Sequence, residues 1–113
     1  MANGSATTDL RALQQRLGAL SQAAPGLLGG FKKLADEAAR PGALSPGLKE
    51  LVAATLGVAR GCQDCILFHV AAAKRHGATR EELVELLAVA VEMGGGPSVV
   101  YAAKALAIFD ELG

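Results

Sequence analysis

Apolar residues recur every three or four positions along most of this chain, and no segment alternates apolar and polar residues. A period of about 3.6 residues is typical of amphipathic helices, whereas half-buried strands need strict alternation. Gly and Pro interrupt the pattern at 25–26, 41–42 and 94–97, where they mark turns. The sequence therefore predicts an all-α fold with about six helices.

The first helical signals set the domain boundaries. Residues 1–7 are small and polar, and we expect them to form a flexible N-terminal tail. Thr8 is a suitable N-cap, which predicts a first helix starting at Asp9. Residues 8–113 then form a single all-helical domain, because a chain of 113 residues suits one hydrophobic core.

Start and stop signals also place the helices in the middle of the chain. Ser45 followed by Pro46 predicts the start of the third helix, with Ser as the N-cap and Pro in the first turn. A break is expected near 59–61, with a new helix starting around Cys62. Residues 79–82, Thr-Arg-Glu-Glu, form a capping box that starts the helix after it.

The predicted third helix has two different faces. One face carries an amphipathic stripe, namely Leu48, Leu51, Val52, Thr55 and Leu56. Glu50 lies nearly opposite, among the small residues Ala53, Ala54 and Gly57. Small residues allow another backbone to approach closely. We therefore expect this helix to be covered on both sides, with Glu50 as a partly buried acid.

Composition limits the core and the classes of partner. Hydrophobic residues make up 51% of the chain but aromatic residues only 4%, and much of the apolar content is Ala. We therefore expect a homo-oligomer that covers helix faces between subunits. Eleven basic residues balance eleven acidic ones without a basic run, which argues against nucleic acid and anionic membranes as partners. With neither a signal-peptide pattern nor a membrane-spanning apolar run, the expected location is cytoplasmic.

The two cysteines, Cys62 and Cys65, are spaced so that they can form a disulfide within one helical turn. At a helix N-terminus the free N–H groups and the helix dipole lower the pKa of a thiol, which favours Cys62 as the thiolate. His69 lies one turn beyond Cys65 on the same face, where its imidazole can accept or relay the thiol proton. From these residues alone, the helix dipole favours Cys62 and the relay favours Cys65 as the more reactive thiol.

Other interpretations of these residues are weaker. Two buried cysteines can act simply as small hydrophobic side chains. Cys62, Cys65, His69 and His76 supply zinc-binding atoms, but the histidines are about 10.5 Å apart along one helix, too far to share a metal readily. A thioredoxin-type site needs a strand before the motif, and none is predicted. The glycines at 94–96 lack the Lys-Ser/Thr ending of a phosphate-binding loop and are interpreted as a turn.

A longer pattern in the chain resembles a known family. It combines an acid, two cysteines and a histidine at fixed spacing, Glu50-x11-Cys62-x2-Cys65-x3-His69, followed by Gly77-Ala78-Thr79-x2-Glu82. This pattern is similar to the alkylhydroperoxidase D-like branch of the carboxymuconolactone decarboxylase superfamily, over about residues 45–98. The cysteine spacing alone is a weak signal, and the acid, the histidine and the helical context make it more specific.

The resemblance implies an all-α fold built around a paired helical core and assembled as trimers or hexamers. It implies thiol-dependent reduction of hydroperoxides, with Cys65 as the peroxidatic thiol and Cys62 as the thiol that resolves its sulfenic acid to a disulfide. Glu50 and His69 would relay protons through water. A disulfide-reducing partner protein, lipoylated in the best-studied members, would then restore the dithiol. No cofactor or metal ion is expected in the site.

One residue departs from this pattern. Asp64 precedes the second cysteine, where some active members carry a histidine, and an acid that faces the site would raise the pKa of a nearby thiol. The alternative function is dithiol–disulfide exchange or redox sensing on a protein partner, without peroxidase activity. A third class is an oligomeric binding module with incidental cysteines. The decarboxylase branch does not use this cysteine pair, so that activity is remote.

Overall fold

The computed structural model describes the backbone of residues 2–113 and the side chains from Ser5 onward. Within this range the chain folds into six helices and no strand, which confirms the predicted all-α class. The helices are α1 (Ala2–Ala23), α2 (Pro25–Ala39), α3 (Pro46–Arg60), α4 (Gln63–Arg75), α5 (Arg80–Gly94) and α6 (Gly96–Glu111). None of these helices is both long and apolar enough to cross a membrane.

The core lies among the last four helices. Its buried side chains form one cluster that draws on each of them: Leu51, Ala54, Val58, Ile66, Val70, Ala73, Leu83, Leu87, Ala90, Ala105 and Phe109. A second, smaller cluster joins Ala6 and Leu13 of α1 to Leu67 of α4. The helices α3 to α6 therefore form the body of the domain, and α1 packs across it.

The predicted helix signals inside this body are confirmed. The hydroxyl of Ser45 accepts a hydrogen bond from the N–H of Leu48 at 3.1 Å, and Pro46 occupies the first turn of α3. Thr79 and Glu82 form the reciprocal capping box, with bonds of 3.1 and 2.8 Å. These contacts satisfy N–H groups that would otherwise have no partner at a helix start.

An ion pair joins the start of α5 to the end of α6. Arg80 Nε donates to Asp110 Oδ1 at 2.9 Å. This hydrogen bond holds the pKa of the Asp110 carboxyl below its usual value.

The start of the first helix differs from the prediction. Residues 2–7, expected as a flexible tail, belong to α1, so Thr8 lies inside the helix and not at its cap. Ala6 is only 2% exposed, and its backbone N–H donates to the Glu111 carboxylate of α6 at 3.0 Å. No local sequence pattern predicts this contact, because it joins residues at opposite ends of the chain. Met1 lies outside the described residues.

The burial of α3 also corrects the expectation that both of its faces are covered. Ala54, at 0% exposure, and Gly57 are buried, and so is Leu51 of the predicted stripe, at 1% exposure, so the core covers the side of α3 on which the small residues adjoin Leu51. Leu48, Val52 and Leu56 of the predicted stripe remain 37%, 39% and 58% exposed in the single chain. The small residues are buried because they allow the backbone of α4 to pack closely against α3.

The helix α2 contributes nothing to the core of the chain. It contains no buried residue, and its large apolar side chains Leu27, Phe31 and Leu34 are 63–65% exposed. Pro25, predicted to lie in a turn, is the first residue of this helix. An amphipathic helix with an uncovered apolar face is unusual for a protein that acts as a monomer.

Candidate redox site

The first turn of α4 holds the cysteine pair. Cys62 is the N-cap residue, with an extended backbone, and its Sγ accepts a hydrogen bond from the N–H of Cys65 at 3.2 Å. The two sulfurs are joined in a disulfide, with the Cα atoms 5.3 Å apart. Cys65 is exposed, whereas Cys62 is partly buried. The structure therefore shows the oxidised state of a pair that sits at the positive end of a helix.

A sharp turn between α3 and α4 brings the pair into place. Gly61 adopts a left-handed conformation at φ 71°, which ends α3, and the N–H of Cys62 bonds the carbonyl of Gly57 at 2.9 Å. The ring of Tyr101 from α6 packs against this turn, since a Cβ on Gly61 would lie 3.3 Å from the ring. Both the backbone angle and the packing require glycine here.

Helix α4 then returns along α3 in close contact. A Cβ on Gly57 would lie 3.2 Å from Cys65 Cβ and 3.3 Å from the backbone nitrogen of Ile66. Earlier on α3, Glu50 meets His69, which is later on α4. The two helices therefore run in opposite directions. Gly57 of α3 packs against the first turn of α4, which carries the cysteines.

Glu50 and His69 form the second part of the site. His69 Nδ1 lies 2.7 Å from Glu50 Oε1, and the side chains are 33% and 16% exposed, respectively. When the carboxylate is ionised, Nδ1–H donates to it, and Nε2 of the neutral ring remains free to accept a proton. The ring of Phe68 meets the imidazole edge-on, with centroids 5.2 Å apart. Such an acid–imidazole pair can hold and move one proton.

Helical geometry relates this pair to the thiols. His69 is four residues after Cys65 on α4, a spacing that puts the two Cβ atoms roughly 5–6 Å apart. All four predicted site residues therefore belong to the contact between α3 and α4. Two of the contacts are direct: the Cys62–Cys65 bond and the Glu50–His69 hydrogen bond.

His76 is placed elsewhere. It caps the far end of α4 and is exposed, and its carbonyl packs against Gly47. In the described part of the chain, no group of three or more His, Cys, Asp or Glu side chains is arranged to hold a metal ion.

Asp64 turns towards α1 and pairs with a residue that the sequence did not indicate. Arg16 Nη2 lies 3.3 Å from Asp64 Oδ2, with the side chains 60% and 58% exposed. A cavity of about 180 Å³ beside this pair is lined by Asp9, Ala12, Gln63 and Leu67 as well. The two residues are 48 positions apart, so no local pattern could link them.

These features define an all-helical protein whose α3 and α4 carry a Cys-x-x-Cys disulfide and a Glu–His hydrogen bond. Residues 25–107 match the model of the carboxymuconolactone decarboxylase family. This match covers most of the chain, and the chain belongs to that family. It confirms the superfamily that the pattern from Glu50 to Glu82 predicted.

The comparisons also find relatives along nearly the full length. An uncharacterised protein of Cupriavidus necator is 48% identical over 110 residues, covering 94% of this chain and 97% of the relative. Uncharacterised protein 4 of the cox locus of Paracoccus denitrificans is 38% identical over 96 residues, covering 85% and 86% of the two chains. The apo crystal structure of a carboxymuconolactone decarboxylase family protein from Legionella pneumophila is 43% identical, with a TM-score of 0.91 and coverage of 95% and 96%.

Proposed function

We propose that this protein is a thiol-dependent peroxidase of the alkylhydroperoxidase D-like branch. The observation that carries the proposal is the Glu50–His69 hydrogen bond on the same two helices that hold the Cys62–Cys65 disulfide. A dithiol that cycles to a disulfide supplies two electrons, which is what hydroperoxide reduction requires. The acid–imidazole pair supplies the proton transfers.

In the proposed first step, His69 Nε2 takes the proton of the Cys65 thiol. The thiolate attacks one oxygen of the peroxide, the O–O bond breaks, and Cys65 becomes a sulfenic acid. The leaving oxygen takes the proton back and departs as an alcohol or water. Glu50 accepts Nδ1–H throughout, which holds the ring in the tautomer that presents Nε2.

In the proposed second step, the Cys62 thiolate attacks the sulfur of the sulfenic acid. The S–O bond breaks as the disulfide forms, and the leaving hydroxide takes the proton given up by the Cys62 thiol and departs as water, which gives the bonded pair at the start of α4. A disulfide-reducing partner protein then exchanges its own dithiol for this bond, and a lipoylated protein is the candidate. Its thiolate attacks Cys65, the more exposed cysteine. Cys62 then leaves as a thiolate stabilised by the helix N-terminus.

The test is peroxide consumption by the reduced protein in the presence of a small dithiol. Cys65→Ser should abolish consumption, because the attacking sulfur is lost. Pre-reduced Cys62→Ser, freed of the dithiol, should reduce one equivalent of peroxide and leave a sulfenic acid on Cys65 that a sulfenic-acid reagent can trap. Consumption that persists at the wild-type rate in Cys65→Ser would contradict the proposal.

The second candidate function is dithiol–disulfide exchange without peroxide chemistry. It is supported by the exposure of Cys65 and by the position of Cys62 as the N-cap, both of which suit attack by a protein thiol. A protein of this kind would reduce disulfide substrates and leave hydroperoxides untouched. The same assay therefore separates the two functions when both substrates are supplied.

We also propose that the protein works as a homo-oligomer, a trimer or a hexamer. The support comes from α2, whose apolar side chains are exposed, and from the uncovered side chains of Leu48, Val52 and Leu56 on α3. Covering these surfaces with a second copy would remove apolar area from water at roughly 25 cal/mol per Å². A small chain with few large side chains gains much from such burial.

A further inference from the structure

We propose that Arg16 of α1 is a positioning residue that lowers the pKa of the thiol pair by holding and neutralising Asp64. This inference rests on the redox use of Cys62 and Cys65 that is proposed above, and it does not depend on whether the oxidant is a peroxide. Asp64 is the residue that stands where some members of the family carry a histidine.

The sequence places an acid between the two cysteines. Asp64 is the second residue of α4, directly before Cys65 and two positions after Cys62. Its carboxylate turns to α1, where Arg16 Nη2 lies 3.3 Å away. Within residues 5–113, Arg16 is the cation that pairs with this carboxylate. The packing of Ala6 and Leu13 on Leu67 holds α1 against α4. This packing fixes the backbone position of Arg16 relative to Asp64.

The electrostatic effect follows from charge and position. A carboxylate beside a thiol disfavours the thiolate, because two negative charges repel each other. The N-terminus of α4 acts in the opposite direction and favours both anions. Arg16 neutralises the carboxylate and draws it towards α1. The thiolate therefore experiences a neutral ion pair instead of a free negative charge.

Other charged groups lie in this part of the fold, but among residues 5–113 Arg16 is the one that pairs with Asp64. Glu50 and His69 bond to each other on the α3 side. Asp9 of α1 lines the cavity beside the ion pair, and it is negative. Lys104 of α6 lines an adjoining cavity of about 150 Å³ with Gln63, and Tyr101 packs on the turn before Cys62. Arg16 is the positive group in direct contact with the acid.

The size of the effect is set by solvent exposure. Both side chains are more than half exposed, so water and salt screen their interaction. We expect removal of the Arg16 charge to lower the acid dissociation constant of the thiol about threefold. This factor corresponds to a rise in the thiol pKa of about half a unit.

The experiment measures thiolate formation in the fully reduced protein, by ultraviolet absorbance as a function of pH. Arg16→Gln should raise the pKa of the more acidic thiol by about half a unit, and Asp64→Asn should lower it. In the Asp64→Asn background, Arg16→Gln should produce no further shift. Arg11→Gln, which removes a positive charge from the same helix away from Asp64, is the matched control and should leave the curve unchanged.

A second readout is the equilibrium between the dithiol and glutathione disulfide. At a pH above the thiol pKa, Arg16→Gln should shift the equilibrium constant about threefold towards the disulfide form. This corresponds to a fall in the reduction potential of about 14 mV, since a tenfold change in the constant is 29.6 mV. Salt at about 1 M should reduce the difference. These measurements need no peroxide, so their outcome is independent of the peroxidase assay.

Two results would overturn the inference. One is a shift by Arg16→Gln that is equally large in the Asp64→Asn background, since the effect would then not pass through the acid. The other is a titration curve for Arg16→Gln that matches the Arg11→Gln control. Unchanged helical content and thermal unfolding in each variant would show that the comparison is between folded proteins.

Discussion

At the scale of single residues, the hydrogen bond between Glu50 and His69 is the most specific contact in the site. Glu50 is 16% exposed, so its carboxylate is partly shielded from water and its charge acts more strongly on the imidazole. A partly buried acid without a partner would be costly, and His69 is that partner. The pair is therefore suited to positioning one ring nitrogen for proton transfer.

Glu50→Gln tests this arrangement. The amide oxygen can still accept Nδ1–H, so the side chain keeps its place, but the charge that stabilises a protonated imidazole is lost. We expect kcat/KM for hydroperoxide to fall about 100-fold, in line with the loss of general acid–base catalysis. Glu85→Gln, at an exposed acid of α5, is the matched control and should retain full activity. Equal activity in the two variants would rule out a catalytic role for the pair.

Much of the candidate site could be predicted from the sequence at this scale. The spacing of Cys62, Cys65 and His69 places them on one face of one helix, because a helical turn is a local property. The pairing of Asp64 with Arg16 could not be predicted. A single arginine has no distinguishing signal, and its partner depends on how α1 packs across α4.

At the scale of helices, the contact between α3 and α4 decides whether acid and thiols share one site. Gly57 lies directly against Cys65 and the backbone of Ile66. Backbone atoms cannot move aside as easily as the end of a flexible side chain. The absence of a side chain at Gly57 is therefore what allows the two helices to meet at this distance.

Gly57→Ala should separate the two helices. The new methyl group would lie about 3.2 Å from Cys65 Cβ, so α4 must shift, and we expect a loss of about 1–3 kcal/mol in the free energy of unfolding. Peroxide consumption should also fall, because His69 moves away from Glu50. Denaturant unfolding monitored by circular dichroism measures the first effect.

The matched control is Gly18→Ala, within α1. A Cβ at this position meets nothing within 4 Å, so the substitution only improves helix propensity. We expect it to stabilise the protein by about 0.5–1 kcal/mol. If Gly57→Ala stabilised the protein as much as Gly18→Ala does, the close approach of the two helices would not constrain the site.

At the scale of the whole molecule, the apolar surface is distributed unevenly. Four helices bury their apolar faces in one core, whereas α2 buries none of its residues. Phe31 is 63% exposed, and its neighbours on the same side are similarly uncovered. Large exposed apolar patches mark interaction surfaces in soluble proteins. An assembly of several copies would bury the apolar side chains of α2 that are exposed in a single chain.

Phe31→Asp should disrupt this assembly. A carboxylate in an apolar interface loses its hydration without gaining a partner, so the subunits should separate. Sedimentation velocity of the variant should show the mass of a monomer where the unmodified protein shows a multiple of 11.5 kDa. Lys33→Asp, on the polar side of the same helix, introduces the same group and should leave the assembly intact. An unmodified protein that sediments as a monomer would refute the proposed oligomer.

The sequence by itself determined the helices, most of their ends and the grouping of the two cysteines with His69. Each of these depends on atoms within about one helical turn, such as the cap of Ser45 and the capping box at 79–82. A helical pattern tells which residues share a face, but it does not tell which face the core covers. Tertiary packing decided that the small-residue face of α3 is buried, that α1 begins at Ala2, and that Glu50 meets His69 across 19 residues. The physical reason is that these contacts join separate helices, so they form only where the packing of the whole domain brings those helices together.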